Sequence, residues 1–339
     1  MRIVQAGHFQ LRKYGKGQVS TELKLFNGFV RLKHNVQIFS ERDTAAYEAP
    51  FGWRDLGRGK ANRRLVETCE NFQPQLLMLG HCDIIRNKTL AEIRRRLPDL
   101  RIAYRNVDPL FRETNAARIK ARAPYVDHVF LTTAGEAAKA LGDDPAKISY
   151  MPNPVDASVE VFNNSQKAAG DFDRDLFFAG RVNPDLPRFD LLRRLTGELA
   201  NELRFDTFGF DGAPTVWGLD YDRALEGSKM ALNLNRQEGD WLYSSARVGQ
   251  LMGNGILPFI HRSGGLELFF QDKAVFFDSP DELLEKIRHY HDHDDERRQL
   301  ASAGHTYVHA EMSSERVAQF VIDRTFGNPE GNDYSWSAS

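Results

Sequence analysis

Short β-branched and aromatic runs alternate with longer stretches of helical periodicity along this chain, and the alternation stops once and begins again. The first series is RIVQA (2–6), NVQIFS (35–40), QLLMLG (75–80), RIAYR (101–105), DHVFLT (127–132) and ISYM (148–151). Between these runs lie amphipathic segments such as VSTELKLFNGFVRLK (19–33) and NKTLAEIRRRL (87–97), with apolar residues at helical spacing. Such alternation predicts a doubly wound α/β domain with a parallel sheet.

After MPNPVD (151–156) the pattern gives way to a polar stretch without periodicity, and then it restarts. The second series is DLFFAG (175–180), LRFDTFG (203–209), KMALNLN (229–235), GILPFI (255–260) and AVFF (274–277). Two α/β domains are therefore expected, at 1–156 and 175–312, joined by a linker at 157–174 with a ligand cleft between them. Helices follow: SPDELLEKIRHYH opens on a serine N-cap and a proline, and SSERVAQFVIDRTF occupies 313–326. The tail GNPEGNDYSWSAS (327–339) has few apolar residues and is expected to be disordered.

Several function classes drop out at this stage. No apolar run approaches the roughly 20 residues of a membrane span, and MRIVQAGHFQ lacks a signal-peptide core, which points to the cytoplasm. Cys69 and Cys82 form no CxxC pair and read as reduced thiols. Residues 1–170 hold 27 Lys and Arg against 18 Asp and Glu, and residues 171–339 hold 18 against 29, so the halves carry +9 and −11. A basic half attracts a phosphorylated or acidic partner, or an anionic membrane surface. Solvated helix faces such as IRRRL (93–97) account for the arginines equally well. In HYHDHDDE (289–296), His289 and His293 stand four apart, but the charged run sits at a helix junction and no metal site is expected.

Ligands of open α/β sheets bind beyond the carboxyl ends of the strands, so the residues there are the candidates. In the first domain these are Gly7-His8, Ser40-Glu41-Arg42-Asp43, Gly80-His81-Cys82-Asp83, Asn106-Val107-Asp108 and Thr132-Thr133. His8 is the candidate general base, with Asp108 or Asp83 to orient it. The basic loop RKYGKGQVS (12–20) suits an acceptor or phosphate, which makes Lys13, Lys16 and His81 acceptor candidates. Neither the dinucleotide nor the P-loop glycine spacing occurs, so a nicotinamide oxidoreductase is disfavoured. In the second domain Arg181 follows a strand and precedes a helix opening near NPDLPRFD, a geometry for holding a diphosphate. The segment NRQEGDWLYSSAR (235–247) reads as a pocket wall, and the glycines of ARVGQLMGNGILPFIHRSGG (246–265) as places where a helix passes close to a nucleotide and to the next strand.

The residues DYDRALEGSKMALNLNR (220–236), SSARVGQLMGNGILPFIHRSGGLELFF (244–270) and DSPDELLEKIRHYHDHDDERRQLASAGHTYV (278–308) carry a family likeness. This half resembles the group-1-like glycosyltransferases of the spore-maturation CgeB type, with the GT-B architecture of two facing Rossmann-like domains. STELKLFNGFVRLKHNVQIFSERD (20–43), YRNVDPLF (104–111) and YMPNPVD (150–156) are similar more loosely. The resemblance implies a nucleotide-sugar donor held by the second domain, an acceptor held by the first, and no further cofactor. Arg247 matches the arginine of the family's R-x-F-E-A-x-x-x-G motif and Gly255 its last glycine, whereas its phenylalanine is Gly249 and its ribose-binding glutamate is Gln250. A glutamine accepts one hydrogen bond and donates another, without charge assistance. With the strand-end and pocket-wall residues, the donor-binding candidates are Arg181, Asn235, Arg236, Tyr243, Ser244, Ser245, Arg247, Gln250, Gly264 and Gly265.

The expected activity is transfer of a sugar from a nucleoside-diphosphate sugar to a hydroxyl acceptor, a cell-surface glycan or glycolipid of polysaccharide biosynthesis. Arg181, Arg247 and helix N-terminal amides would stabilise the leaving diphosphate without an obligatory metal. A peripheral contact with the inner face of the cytoplasmic membrane is expected, and no nucleic-acid partner. Retention and inversion both stay open, since His8 with Asp108 would suit an inverting base. Gln250 also motivates a second reading, a GT-B protein that binds sugar nucleotides or glycans without turnover.

Overall fold

All six runs of the first series are strands: β1 (Arg2–Gly7), β2 (Asn35–Ser40), β3 (Leu76–Leu79), β4 (Arg101–Asn106), β5 (His128–Leu131) and β6 (Ile148–Tyr150). They pair in parallel in the order β2-β1-β3-β4-β5-β6. The second series forms β7 (Arg174–Ala179), β8 (Phe205–Phe208), β9 (Ser228–Asn233), β10 (Leu257–His261) and β11 (Val275–Phe277), parallel in the order β11-β10-β9-β7-β8. The computed structural model describes residues 1–16, 21–237, 239–327 and 333–336. The expectations for Val19 and Ser20 as helix, for residues 17–20 of the basic loop, for Glu238 of the pocket wall and for 328–332 and 337–339 of the tail lie outside the described residues. Among the described residues no helix is long and apolar enough to cross a membrane.

Parallel strands covered on both sides are apolar along their whole length, which is why the runs are so plain in sequence. In the first sheet Val4, Ala6, Leu77, Leu79, Ile102, Tyr104, Val129 and Leu131 build one core layer. Free Cys69 and Cys82 are buried in it, and burial pushes the Cys69 thiol up to about 12. The second sheet buries Leu176, Phe178, Met230, Leu232, Leu257 and Phe259 in the corresponding way.

The chain divides into residues 1–154 with 314–339, and residues 155–313. The last helix, Ser314–Phe326, therefore belongs to the first unit, where it crosses the helix Thr21–Arg31 at Gly28. A Cβ on Gly28 would collide with the Ser314 carbonyl. Helix propensity alone would favour alanine by roughly 1 kcal/mol, but overpacking against backbone reverses the sign. Gly28→Ala is expected to destabilise by about 1–3 kcal/mol, read as a lower urea midpoint; a raised midpoint would contradict this crossing.

Three expectations need correction. Residues 157–174 are no free linker, because they pack within the second unit. Asn164 Nδ2 donates to the carbonyls of Leu225 and Ser228 at 2.8 Å each, and the fully buried Arg297 lies over the Phe172 ring at 5.3 Å. The tail is not disordered where described: Trp336 is fully buried against Phe320, and the Tyr334 hydroxyl donates to Asp323 at 2.6 Å. Two aromatics at the right spacing suffice to anchor a segment whose overall composition is polar. Finally, Gly253 and Gly255 serve the connector and not a ligand. A Cβ on Gly253 would lie 2.7 Å from Glu160 Cγ, and Gly255, at φ 68°, abuts Asn163 and the amides of Asn164 and Ser165.

The N-cap expected at Ser279 is present, its hydroxyl accepting from the Glu282 amide at 3.2 Å. His289 and His293 stack with centroids 4.3 Å apart, and the His289 ring meets Glu296 at 2.9 Å, so the run closes on itself at the helix junction.

Candidate functional site

In each sheet the strand order reverses direction at one place, β1/β3 in the first and β7/β9 in the second, and such switch points open a crevice at the carboxyl ends. At β7/β9 two guanidinium groups converge. Arg247, in the first turn of the helix Ala246–Gly253, donates from Nη1 to the Leu234 carbonyl at 3.1 Å and lies over the Phe178 ring at 5.3 Å. Arg188, in the helix Pro187–Glu198, donates to the same carbonyl at 3.1 Å and to the Arg181 carbonyl, with its guanidinium 6.0 Å from the same ring. Gly180 leaves room for this arrangement, since a Cβ there would lie 2.9 Å from Arg247 Nη2. Two like charges against one ring and one carbonyl form a cradle that could hold an anion.

The other residues expected in the second unit differ in burial and bonding. Ser245 caps the helix by position only: its hydroxyl donates to Asn233 Oδ1 at 3.0 Å and makes no cap bond. Ser244 is buried, and Asn235 and Tyr243 are half-buried. The Gly264 carbonyl accepts from the Leu242 amide at 2.7 Å, and Gly265, at φ 69°, lies directly under the Trp241 ring, where any Cβ would strike it. Together they seat the loop that leads into Ser244, Ser245 and Arg247. Arg181 and Arg236 are exposed at the surface.

At β1/β3 the first unit gathers a different chemistry. Glu22, in the first turn of its helix and buried, accepts from the His81 amide at 3.0 Å. Gly7 and Gly80 make room for it. Glu41 is fully buried and accepts from the amides of Asp83, Ile84 and Ile85 at 3.1, 2.9 and 3.3 Å. Burial, reinforced by the neighbouring Asp83 carboxylate, pushes Glu41 up to about 8. Burial opposes ionisation of Asp83 too, but its hydrogen bond with Glu41 and those from Arg42, whose Nε and Nη2 donate at 3.1 and 3.0 Å, hold it well below the usual carboxylate range.

Neither carboxylate proposed to orient His8 does so. Asp83 is taken by Arg42, and Asp108 Oδ2 stands 3.6 Å from His81 Nδ1. The reason is topological: β3 lies between β1 and β4, so the residue that follows β3, not the one that follows β1, becomes the neighbour of Asp108. Asn106 and Asn115, bonded to each other at 2.9 and 3.1 Å, hold the Asp108 loop through the Asp108 amide and carbonyl. His8 is half-buried; desolvation and then Arg42 lower its basicity below the ordinary imidazole value, leaving a neutral ring at neutral pH. Lys13 and Lys16 are exposed on the neighbouring loop.

The family described as "Glycosyl transferase-like" matches residues 187–323, a segment that includes Arg188, Arg247 and Gln250. Anabaena HepE, solved with UDP and glucose, superposes with a TM-score of 0.61 at 13% identity over 96% of this chain and 100% of its own. Sucrose-phosphate synthase from Thermosynechococcus elongatus gives 0.65 at 11% identity over 95% and 98%. A trehalose-6-phosphate synthase studied for glycosyl transfer with retention gives 0.60 at 11% over 96% and 99%. The chain has the GT-B fold. No curated protein sequence matches it.

In this GT-B chain the Gln250 side chain is already engaged: the Tyr221 hydroxyl donates to Gln250 Oε1 at 3.1 Å. Burial pushes the Tyr221 phenol up to about 12, so it remains a donor throughout the physiological range. Two buried charges that shape the sites, Arg188 and Glu22, are absent from the strand-end candidates. Their signal in the sequence is a charge placed on an apolar stripe, Arg188 with Leu192, Leu195 and Leu199, Glu22 with Leu25 and Phe29.

Proposed function

We propose that the protein transfers a sugar from a nucleoside-diphosphate sugar to a hydroxyl acceptor. The observation that carries this reading is the convergence of Arg188 and Arg247 beside the first turn of the helix Ala246–Gly253. The pair would bind the diphosphate and stabilise the charge that develops as the glycosidic bond breaks. Cations then take the role that a metal ion plays in other transferases. Ser244, Ser245, Asn235, Tyr243 and Gln250 would surround the nucleoside and sugar, with Arg181 and Arg236 at the rim and Gly264-Gly265 beneath. On the first unit, neutral His8 is the candidate base, His81 with Asp108 a second acid–base pair, and Lys13 and Lys16 contacts for an anionic or lipid-linked glycan acceptor. The setting we propose is polysaccharide biosynthesis in the cytoplasm, with a hexosyl or related donor and no cofactor besides it.

Incubation with UDP-, GDP-, CMP- and dTDP-sugars tests the reading, starting from UDP-glucose because the HepE neighbour binds it. Donor hydrolysis, transfer or thermal stabilisation is expected with at least one. Silence across the whole set would sink it.

The engaged Gln250 favours a second reading, donor binding without turnover. Gln250→Glu restores a charge-assisted acceptor and is expected to tighten donor binding about fivefold to tenfold, measured by calorimetry. Turnover in either form supports the transferase; tight binding with no turnover in both forms would make this a sugar-nucleotide-binding protein.

A further inference from the structure

Six large apolar side chains of the first unit are left uncovered in two segments: Leu11 and Tyr14, and Tyr47, Phe51, Trp53 and Leu56. Phe51 is 93% exposed, Tyr14 86% and Trp53 68%. The segments touch each other, since Arg12 Nη1 donates to the Gly52 carbonyl at 3.4 Å and the Arg12 guanidinium lies 6.0 Å from the Tyr47 ring centroid. Asp43 ties the first segment down by accepting from the amides of Leu11 and Arg12 at 2.7 and 3.3 Å. Phe51 adopts φ 56°, a left-handed conformation that costs a non-glycine residue roughly 1–2 kcal/mol. The chain bears strain to hold out a bare aromatic ring.

Single exposed apolar residues are ordinary, but a contiguous set marks an interaction surface. The charge around this one is equally one-sided. Residues 9–16 and 47–64 contain eight Lys and Arg and two acids, and both acids are already paired, Glu48 with Arg64 at 2.6 Å and Asp55 with Arg58 at 2.8 Å. Trp53, Leu56, Lys60 and Arg63 recur at helical spacing on one face at the start of the helix Arg54–Phe72, all exposed. Aromatic tips interleaved with cations suit the headgroup layer of an anionic bilayer, where rings sit at the interface and Lys and Arg stems reach lipid phosphates. A protein partner is the poorer fit, because the buried centre of such interfaces is depleted of lysine.

We propose that this surface docks the protein on anionic membrane. The inference stands independently of glycosyl transfer, since binding alone tests it. The full chain is expected to co-sediment with vesicles containing phosphatidylglycerol, less so as salt rises, and not with vesicles of phosphatidylcholine alone. Phe51→Ser with Trp53→Ser should weaken partitioning at least about tenfold, and Lys60→Glu with Arg63→Glu by about tenfold or more. Both variants should keep the wild-type melting temperature, because the side chains are exposed. Failure to bind phosphatidylglycerol vesicles, or binding that neither variant changes, overturns the proposal. So does concentration-dependent self-association that the aromatic variant abolishes, which would assign the surface to a second copy of the chain.

Discussion

Replacing Arg247 by alanine is expected to lower kcat/KM for the donor by about 10²–10³, the loss typical of removing one preorganised donor from a site of developing negative charge. The expectation rests on placement. The guanidinium is held by the Leu234 carbonyl and the Phe178 ring, it stands in the first turn of a helix, and Gly180 is open beneath it. Arg247→Lys should recover little, because an ammonium cannot cover the ring and meet both a carbonyl and a phosphate oxygen at once. Gly180→Ala offers a milder probe: its methyl would press on the far end of the Arg247 side chain and not on backbone, so activity should fall while the melting temperature holds. If Arg247 acts through this geometry, the two substitutions are non-additive, the double variant being little worse than Arg247→Ala alone. Unchanged kcat/KM in Arg247→Ala would remove the cradle from the mechanism.

What could be read in the sequence, and what could not, follows from the physics of each feature. The eleven strands among the described residues were legible because a strand covered on both faces is a local apolar run, from RIVQA to AVFF, and needs no knowledge of its neighbours. Arg247 could be named as a candidate because its sequence context is local too, and it stands in the first turn of a helix against the Leu234 carbonyl. The partner of Asp108 was not, since it depends on β3 entering the sheet between β1 and β4, a through-space order that the alternation of elements does not encode. The same holds for Asn164, whose polar sequence context suggested a free linker although its amide satisfies two buried carbonyls. Trp336 shows the opposite error, in which average composition concealed one decisive side chain.

Stability should fall as pH rises from about 5 to about 9, and Glu41→Gln should remove most of that fall. Glu41 is fully buried and its carboxyl is raised from the ordinary 4.5 to about 8. A raised acid binds its proton more tightly in the folded chain than in the unfolded one. Its contribution is therefore complete below its ordinary value and is lost as pH climbs through the folded value. Asp83 acts in the opposite sense: its lowered carboxyl contributes above its ordinary value and loses that contribution in acid, so the pair is best placed on the weakly acidic side of neutrality. A shift of this size corresponds to a change on the order of 4 kcal/mol between the two limits. The neutral amide introduced by Glu41→Gln would keep a donor toward Asp83 and an acceptor for the loop amides, but it has no proton to lose. Urea midpoints at pH 5 and pH 9 should therefore differ in the wild type and nearly coincide in the variant. A variant that is weaker than wild type by the same amount at both pH values would show that Glu41 is ionised in its site. The consequence reaches function, because the amides that Glu41 holds belong to residues 83–85, which continue directly from His81. Deprotonating Glu41 removes its hydrogen bond to Asp83 and leaves two carboxylates side by side in the segment that carries one half of the His81–Asp108 pair, so acceptor KM should begin to rise over the same pH range in the wild type and stay flat in Glu41→Gln.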